Sequence, residues 1–356
     1  MSHELENADD MIYTGATPWH NLGVKVDSID YLPKCLDWQV NALPLLISDN
    51  GKTRASEYRA FVRSDTGKEL GVATPQYHPH QNQQLWNTFV DFCTAGNMKI
   101  ETAGALKGGK LIWILAKIDK SFSLTSATGS DKQELYALIA TAHDTTMRTI
   151  CRGTIVRVVC WNTLTAALQQ FEDEKVFKSS HRGSFNKDRA KDFVATAILG
   201  FEKYQEQAEA LVKVDLNGFN APVATAFVAD LMDPELYRKS AEGSGLINIS
   251  SDLGKIERQQ LTQLLAKNDD KAKQFVELVS AEANRPMKQL SAAIKTEQSD
   301  VAGKTVWSLL QGTTRYIDHT RGRTDDSRLS SAWFGQGNAL KSQALSLANS
   351  YAEALS

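Results

Sequence analysis

From about Trp38 to Ile150 short apolar runs alternate with turn residues, a pattern that predicts β-strands. The runs are EYRAFVRS, ELGVAT, KIETAGAL, KLIWILAKI and LYALIATAH. Turn sequences that suit positive φ values separate them: SDNGK (Ser48–Lys52), SDTGK (Ser64–Lys68) and LKGGK (Leu106–Lys110). One helix is predicted in NQQLWNTFVDFCTAGN, which ends at Gly96. The order β-β-α-β-β-β with hairpin turns predicts an antiparallel α+β half.

From Asn186 onward the apolar positions recur at helical spacing, beginning with NKDRAKDFVATAILGFEKYQEQAEALVK. Further helices are predicted at residues 222–230, 256–267, 271–283, 305–319 and 337–354. We therefore expect an α+β fold with an antiparallel sheet and packed helices in the N-terminal half, and a helical C-terminal half. The predicted organisation is an α+β domain (1–171), a polar basic linker (172–189) and a helical region (190–356).

The string CRGTIVRVVCWNTLTAALQQ, residues 151–170, has two interpretations. In the first, residues 147–160 form a strand and Asn162 caps a helix over 163–171. In the second, Thr154 caps a helix that begins at Ile155. The β-branched residues favour the strand, whereas the tail TAALQQ favours the helix.

Arg152 and Arg157 lie among the apolar residues of this string. Either arginine can lay its stem on an apolar surface and keep its guanidinium in water. Alternatively, both belong to a basic surface, because residues 145–191 hold nine Lys or Arg and only four Asp or Glu. Such a surface with interleaved aromatic residues suits a nucleic-acid strand, and a solvated basic surface without a partner is the alternative. The predicted nucleic-acid-binding residues are Lys107, Lys110, Arg148, Arg152, Arg157, Trp161, Lys178, Arg182, Lys187 and Arg189.

Composition limits the classes of protein that fit. The 356 residues are 42% hydrophobic and 23% charged, with a formal net charge of −2, so any nucleic-acid affinity has to come from a local patch. The four cysteines form no C-x-x-C pair, which suits a reducing cytoplasm. The N-terminal MSHELENADD lacks an apolar stretch, and no apolar run is long enough for a membrane span. We expect a cytoplasmic protein without membrane contact.

An enzyme is the main alternative class. Cys160 with His143 and Asp144 contains the residue types of a thiolate–imidazole site. Against this, Cys160 lies in an apolar run, and His143-Asp144 suits a turn in which the Asp side chain caps its own backbone. The GGK of the LKGGK turn lacks the remaining residues of a P-loop. We therefore assign no catalytic residue, no metal ligand and no cofactor.

Several strings resemble a known family: GATPWHNLG, LGVATPQYHPHQNQQLW, TAGALKGGKLIWILAKI, TAHDTTM, VRVVCWNTL and RYIDHTRGR…FGQGNALKSQAL. Together they are similar to the phage/plasmid-like protein family, which is built on a bacterial and phage domain of unknown function. The chain departs from the family pattern at Thr145-Thr146, where Gly-Ser is usual. The resemblance implies a bacterial or phage-infected cytoplasm and a mobile-element origin, and the strand–helix order is similar to the β-β-β-α core of single-strand annealing recombinases.

These observations lead to a first hypothesis of single-stranded nucleic-acid binding, DNA before RNA, with annealing in homologous recombination by a homo-oligomer. The second hypothesis is the Cys/His enzyme. The third is an oligomeric interaction or regulatory protein that makes no contact with nucleic acid and uses its helical half to dock a partner.

Overall fold

A computed structural model describes residues 24–126, 129–147, 149–157, 163–164, 187–218, 220–248, 254–300 and 302–356 of the chain. Most strands lie in the N-terminal half and most helices in the C-terminal half, so the predicted α+β class is confirmed. The division into two domains stays a prediction.

The strands come first along the chain, with a single helix among them. They are β1 (Val24–Lys25), β2 (Val40–Asp49), β3 (Lys52–Arg63), β4 (Glu69–Ala73), β5 (Lys99–Leu106), β6 (Leu111–Ser126), β7 (Gly129–Ala142), β8 (Ile150–Arg157) and β9 (Thr163–Leu164). The helices are α1 (Asn82–Ala95), α2 (Lys187–Lys213), α3 (Asn220–Met232), α4 (Pro234–Gly243), α5 (Lys255–Ala266), α6 (Asp270–Glu282), α7 (Arg285–Gln298), α8 (Val306–Arg315), α9 (Asp325–Phe334) and α10 (Gln336–Leu355).

The strands form two antiparallel sheets. The larger sheet has the order β1-β5-β6-β7-β8-β9, and the smaller sheet has the order β2-β3-β4. All described pairings within them are antiparallel, as the predicted hairpin turns require. The SDNGK turn places Asn50 and Gly51 at φ values of 48° and 77°, which suits a two-residue hairpin loop.

The structure also decides between the two interpretations of residues 151–170. Ile155–Arg157 lie in β8, so a helix that begins at Ile155 is wrong. Pairing with β7 in the middle of the larger sheet satisfies this backbone, and β-branched side chains fit the pleated surface. The alternative helix over 163–171 is also wrong at its start, since Thr163–Leu164 pair with β8. Residues 158–162 and 165–186, including most of the predicted linker, lie outside the described residues.

One face of the larger sheet packs on helices of both halves of the chain. A continuous apolar core joins side chains from β5–β8 to others from α1, α2, α8 and α10. The second face carries a smaller cluster in which Trp333 of α9 meets Trp113 of β6 edge to face, with ring centroids 5.0 Å apart. Edge-to-face aromatic pairs contribute about 0.5–1.5 kcal/mol beyond the burial of their area. α9 therefore fixes the helical half to the second face of the sheet.

A buried cluster of charges joins the sheet to the helices. The Arg157 side chain, 1% exposed, donates from Nε to both carboxylate oxygens of Asp131 on β7, each at 2.7 Å. Its Nη1 also donates to Glu297 of α7, whose side chain is fully buried. Arg315 donates to the other oxygen of Glu297 at 3.2 Å. Two cations, Arg157 and Arg315, thus pair with two anions, Asp131 and Glu297, and we call these four residues the Arg157 cluster.

Neutral donors complete the cluster. Trp307 of α8 donates its indole N–H to Asp131 at 2.9 Å, and Gln133 donates to the same carboxylate at 2.9 Å. α7 and α8 pack so closely that a Cβ atom on Gly312 would lie 2.5 Å from the Cα of Ile294, so only glycine fits there. The cluster and this close contact together fix both helices against β7 and β8.

We expect Arg157→Met to lower the free energy of unfolding by about 3–5 kcal/mol, because it leaves the Asp131 and Glu297 carboxylates buried without their main partner. Urea denaturation followed by far-UV circular dichroism measures this change. The double variant Arg157→Met/Asp131→Asn should lose less than the single variant, since Glu297 keeps Arg315 and no unpaired charge stays buried. Arg285→Met, at an exposed residue, is the control and should change stability by about 0.5 kcal/mol or less. Equal losses in Arg157→Met and the control would contradict a structural role.

Candidate nucleic-acid interface

The ten predicted binding residues fall into three groups in the structure. Arg148, Trp161, Lys178 and Arg182 lie outside the described residues. Lys187 and Arg189 lie in the first turn of α2, although their side chains are not among those described. The side chains of the other four are described: Lys107, Lys110, Arg152 and Arg157.

Arg157 is not accessible to a strand of nucleic acid. Its guanidinium lies in the buried cluster with Asp131 and Glu297, so its charge is already compensated inside the protein. We therefore correct its assignment from a phosphate-binding residue to a structural one. Arg152 is half-buried, lies opposite Leu138 on β7, and faces the side of the sheet that α9 covers. Strand geometry places it roughly 20 Å from the Lys107–Lys110 turn, so these residues do not form one compact patch.

The Lys107–Lys110 turn has an unusual backbone. Lys107, Gly108 and Gly109 have consecutive positive φ values of 53°, 67° and 97°. Glycine tolerates this left-handed region, and the short turn that results joins β5 to β6. A Cβ atom on Gly109 would lie 2.9 Å from Arg63 and 3.0 Å from the ring of Trp38, which shows how closely the turn packs on β3. The predicted hairpin at this sequence is confirmed.

The Arg63 side chain packs against the Lys107–Lys110 turn. Its guanidinium lies 4.2 Å from the ring centroid of Trp38, a cation–π contact, and donates to Asp65 at 2.6 and 3.0 Å. Burial alone would raise the pKa of the Asp65 carboxyl. The hydrogen bonds and the positive charge of Arg63 outweigh this effect, so the pKa of Asp65 lies below its ordinary value. Arg63 is itself 1% exposed, so it positions the turn and does not face solvent.

Four cations lie on the segments that meet at this turn, and we call them the cationic corner: Lys68, Lys107, Lys110 and Arg323. A Cβ atom on Gly108 would lie 2.0 Å from the Lys68 ammonium nitrogen, so this side chain crosses the turn. The first turn of α9 contacts the Lys107–Lys110 turn, because Asp326 accepts a hydrogen bond from the Lys107 N–H at 2.8 Å. Arg323 lies in the segment directly before α9. Lys110 is half-buried, and the other three are exposed.

Three of the carboxylates near the cationic corner are already engaged, whereas Glu69, which follows Lys68 in the sequence, is exposed. Asp65 pairs with Arg63 at 2.6 Å, Asp325 pairs with Arg328 at 2.6 Å, and Asp326 binds the Lys107 N–H. Within the described part of the chain, none of the four corner side chains forms an ion pair. The corner therefore presents uncompensated positive charge to solvent, although the whole chain has a net charge of −2.

The residues predicted from the sequence include Lys107 and Lys110 of the cationic corner but not Lys68 or Arg323. Lys68 follows the glycine of the SDTGK turn, and Arg323 precedes the Thr324 cap of α9. A local charge count does not connect them, because the three segments are far apart in the sequence. The signal available was that each cation lies in or beside a turn, where a long side chain reaches solvent.

His143, the histidine of the hypothetical enzyme, lies in the core instead of a cleft. It is 1% exposed, and its Nε2 lies 2.8 Å from Oδ1 of Asn82. The Asn82 amide nitrogen donates to the carbonyls of Leu36 and Trp38, which directs Oδ1 to the ring, so we assign the imidazole proton to Nε2. Asp144 accepts from the Thr146 N–H at 3.0 Å, which confirms the predicted turn.

Burial lowers the pKa of His143 to about 4, with further lowering from His80 and Arg63 and an opposing effect of Asp144. The His143 imidazole is therefore uncharged at neutral pH. Cys160 lies outside the described residues. The described thiols, Cys35, Cys93 and Cys151, are all buried, and burial raises the pKa of Cys93 to about 12. Over the described ranges, no three His, Cys, Asp or Glu side chains are grouped as a metal site.

Comparison with known proteins gives a family but no reaction. Residues 69–333 match the sequence model of the family described as Domain of unknown function (DUF932). No curated protein and no solved structure matches the chain. Within the described helices, none combines the length and the apolar character that crossing a membrane requires. Because the match covers most of the sequence, the chain belongs to the DUF932 family.

His143 predicts a dependence of stability on pH. The unfolded state binds a proton near pH 6.5, whereas the folded state resists protonation down to about pH 4. Folding stability contributed by this residue is therefore complete above pH 6.5 and falls as the pH drops, by roughly 2 kcal/mol between pH 7 and 5. Urea denaturation of the wild type and of His143→Gln at both pH values measures the difference. An identical pH dependence in both proteins would contradict this role of His143.

Proposed function

We propose that this member of the DUF932 family binds nucleic acid, single-stranded DNA before RNA, and that phosphates of the strand dock at the cationic corner. The observation that carries the proposal is the set of four cations, Lys68, Lys107, Lys110 and Arg323, without ion pairs in the described part of the chain. Of the carboxylates nearby, Asp65, Asp325 and Asp326 are each held by another group. This corner therefore has the charge that an anionic strand would neutralise.

The energy of such binding would come mainly from counterions. Four ammonium or guanidinium groups close together repel one another, and a phosphate backbone relieves this repulsion as it releases its own condensed ions. The turn that carries Lys107 and Lys110 packs closely on Arg63 and Trp38, so little backbone entropy would be lost on binding. Lys68, which crosses the turn, brings a third ammonium to the same place.

Two features favour a single strand over a duplex. The four cations lie in turns and in the segment before α9, and not in a row along one of the described helices that could enter a groove. The smaller sheet and its following helix have the order β2-β3-β4-α1, which resembles the core of single-strand annealing recombinases. That likeness is an analogy of fold, and with it we propose a mobile-element origin and strand annealing in recombination.

The predicted residues outside the described part extend the same proposal. Arg148, Trp161, Lys178 and Arg182 supply more cations and one stacking ring in the sequence between β7 and α2. Arg157 has no part in binding, since its charge is compensated in the core.

Binding to a fluorescently labelled oligothymidylate should weaken with salt, with a log–log slope of about −3 if four phosphates are contacted. The variant Lys68→Gln/Lys107→Gln removes two exposed cations, so we expect the slope to fall in magnitude by about 1.4. Fluorescence anisotropy titrations over a series of salt concentrations measure both slopes. Unlabelled duplex DNA and oligouridylate, added as competitors, rank the nucleic acids.

The matched control is Lys213→Gln/Lys288→Gln, which makes the same change of charge at exposed lysines of α2 and α7. It should keep the wild-type slope. The proposal fails if the wild type does not bind at low salt, or if both double variants lose the same affinity.

A further inference from the structure

Exposed apolar side chains are concentrated on the smaller sheet. Among the described residues, nine large hydrophobic side chains are exposed, and five of them lie on β2, β3 or β4. These five are Leu43 (46%), Leu46 (62%), Ile47 (36%), Tyr58 (49%) and Val72 (41%). Single exposed apolar residues are ordinary, whereas a group on one surface marks an interaction site.

The strand register places several of these side chains on one face. Leu43 lies opposite Ala60, and Ala60 lies opposite Val72, so one apolar row crosses all three strands. Tyr58, two residues before Ala60, is 49% exposed and lies where the β2–β3 register shifts between the Pro44–Arg59 and Leu46–Ala55 pairs. Phe61, with the orientation opposite to that of Ala60, is fully buried in the core. The apolar row thus belongs to the outward face of the sheet.

The charges of this sheet suit a protein better than a polyanion. Its exposed strand residues include three cations, Lys52, Arg54 and Arg59, and three anions, Asp49, Glu57 and Glu69. At the tip, Asp49 lies opposite Lys52, which leaves Arg54 as the surplus charge. At the base, Glu69 lies opposite Val62 on the outward face. The face is therefore positive at one end, negative at the other, and apolar between them.

Such a face complements a copy of itself turned end to end. Tyr58 lies midway along β3 between Arg54 and Val62, the residue opposite Glu69. A two-fold axis near Tyr58 would place Arg54 of each copy close to Glu69 of the other, and would place each apolar row on the tip residues of its partner. Contacts of this isologous kind are the commonest way in which identical chains associate.

We propose that the outward face of the β2–β4 sheet docks on the same face of a second copy of this chain, with the two hairpins antiparallel and Tyr58 at the axis. Face-to-face packing fits better than strand addition at the edge. β2 is an edge strand, but Pro44 in its middle has no N–H to donate to another strand. The inference does not depend on nucleic-acid binding.

Light scattering coupled to size-exclusion chromatography, and sedimentation velocity over a range of concentrations, test the proposal with the full chain. We expect a species of two chains. Leu43→Arg should raise the dimer Kd at least about tenfold, and circular dichroism should show an unchanged fold because Leu43 is half-exposed. Ile256→Arg is the matched control, since Ile256 is 68% exposed on α5 and away from the sheet. It should leave the Kd unchanged.

A charge exchange tests the end-to-end arrangement. Arg54→Glu and Glu69→Arg should each weaken association, since each places like charges together across the axis, and the double variant should restore it. A wild type that stays monomeric at every concentration, or a double variant weaker than both single variants, overturns the proposal. So does a Leu43→Arg variant that loses oligonucleotide affinity while its mass is unchanged, because the face would then bind nucleic acid. Lys68→Gln/Lys107→Gln should remain dimeric, which separates this test from that of the proposed function.

Discussion

The Arg157 cluster is the constraint on which the arrangement of the two halves depends. Asp131 and Arg157 come from the adjacent strands β7 and β8, while Glu297 and Trp307 come from α7 and α8. Buried charges are tolerated only when each has its partner, and separating one pair costs several kcal/mol. The helices therefore have one position on the sheet in which Arg157 pairs with both carboxylates and Trp307 reaches Asp131, whereas apolar contacts alone would tolerate a range of positions.

This role explains why an arginine lies among β-branched residues. The flanking apolar side chains of β8 belong to the sheet and its core. Arg157, at the end of that strand, joins the sheet to the helical half through its ion pair with Glu297. The same division separates the cations of the whole molecule. Arg157, Arg63 and Lys341 are buried and paired with Asp131, Asp65 and Asp318, so they serve the fold. The cations of the corner lie on turns, where no carboxylate of the described residues compensates them.

The sequence predicts the elements that carry strong periodicity or turn chemistry, and it misses those defined by contacts across the chain. β5, α1 and the three glycine turns follow from local patterns. The helices α4, α7 and α9 are not predicted, because their apolar stripes are short. Their N-caps, Asp233 before Pro234, Asn284 and Thr324, are residue types that indicate a helix start in the sequence. The pairing of Arg157 with Glu297 and the contact of Asp326 with Lys107 join residues about 140 to 220 positions apart, which no local window connects.

Both proposed surfaces, the cationic corner and the outward face of the β2–β4 sheet, include residues of the smaller sheet or its turns. The position of one therefore limits where the other can bind. Lys68 lies in the turn at the base of the β3–β4 pair, while the proposed two-fold axis passes near Tyr58, closer to the tip. Antiparallel hairpins would then hold the two cationic corners at opposite ends, on the order of 30 Å apart along the strands. Neither corner would be covered by the dimer contact, so one strand of sufficient length would reach both. The second contact would then be intramolecular, and a pair of small sites that bind weakly alone would bind a long single strand far more tightly than a short one.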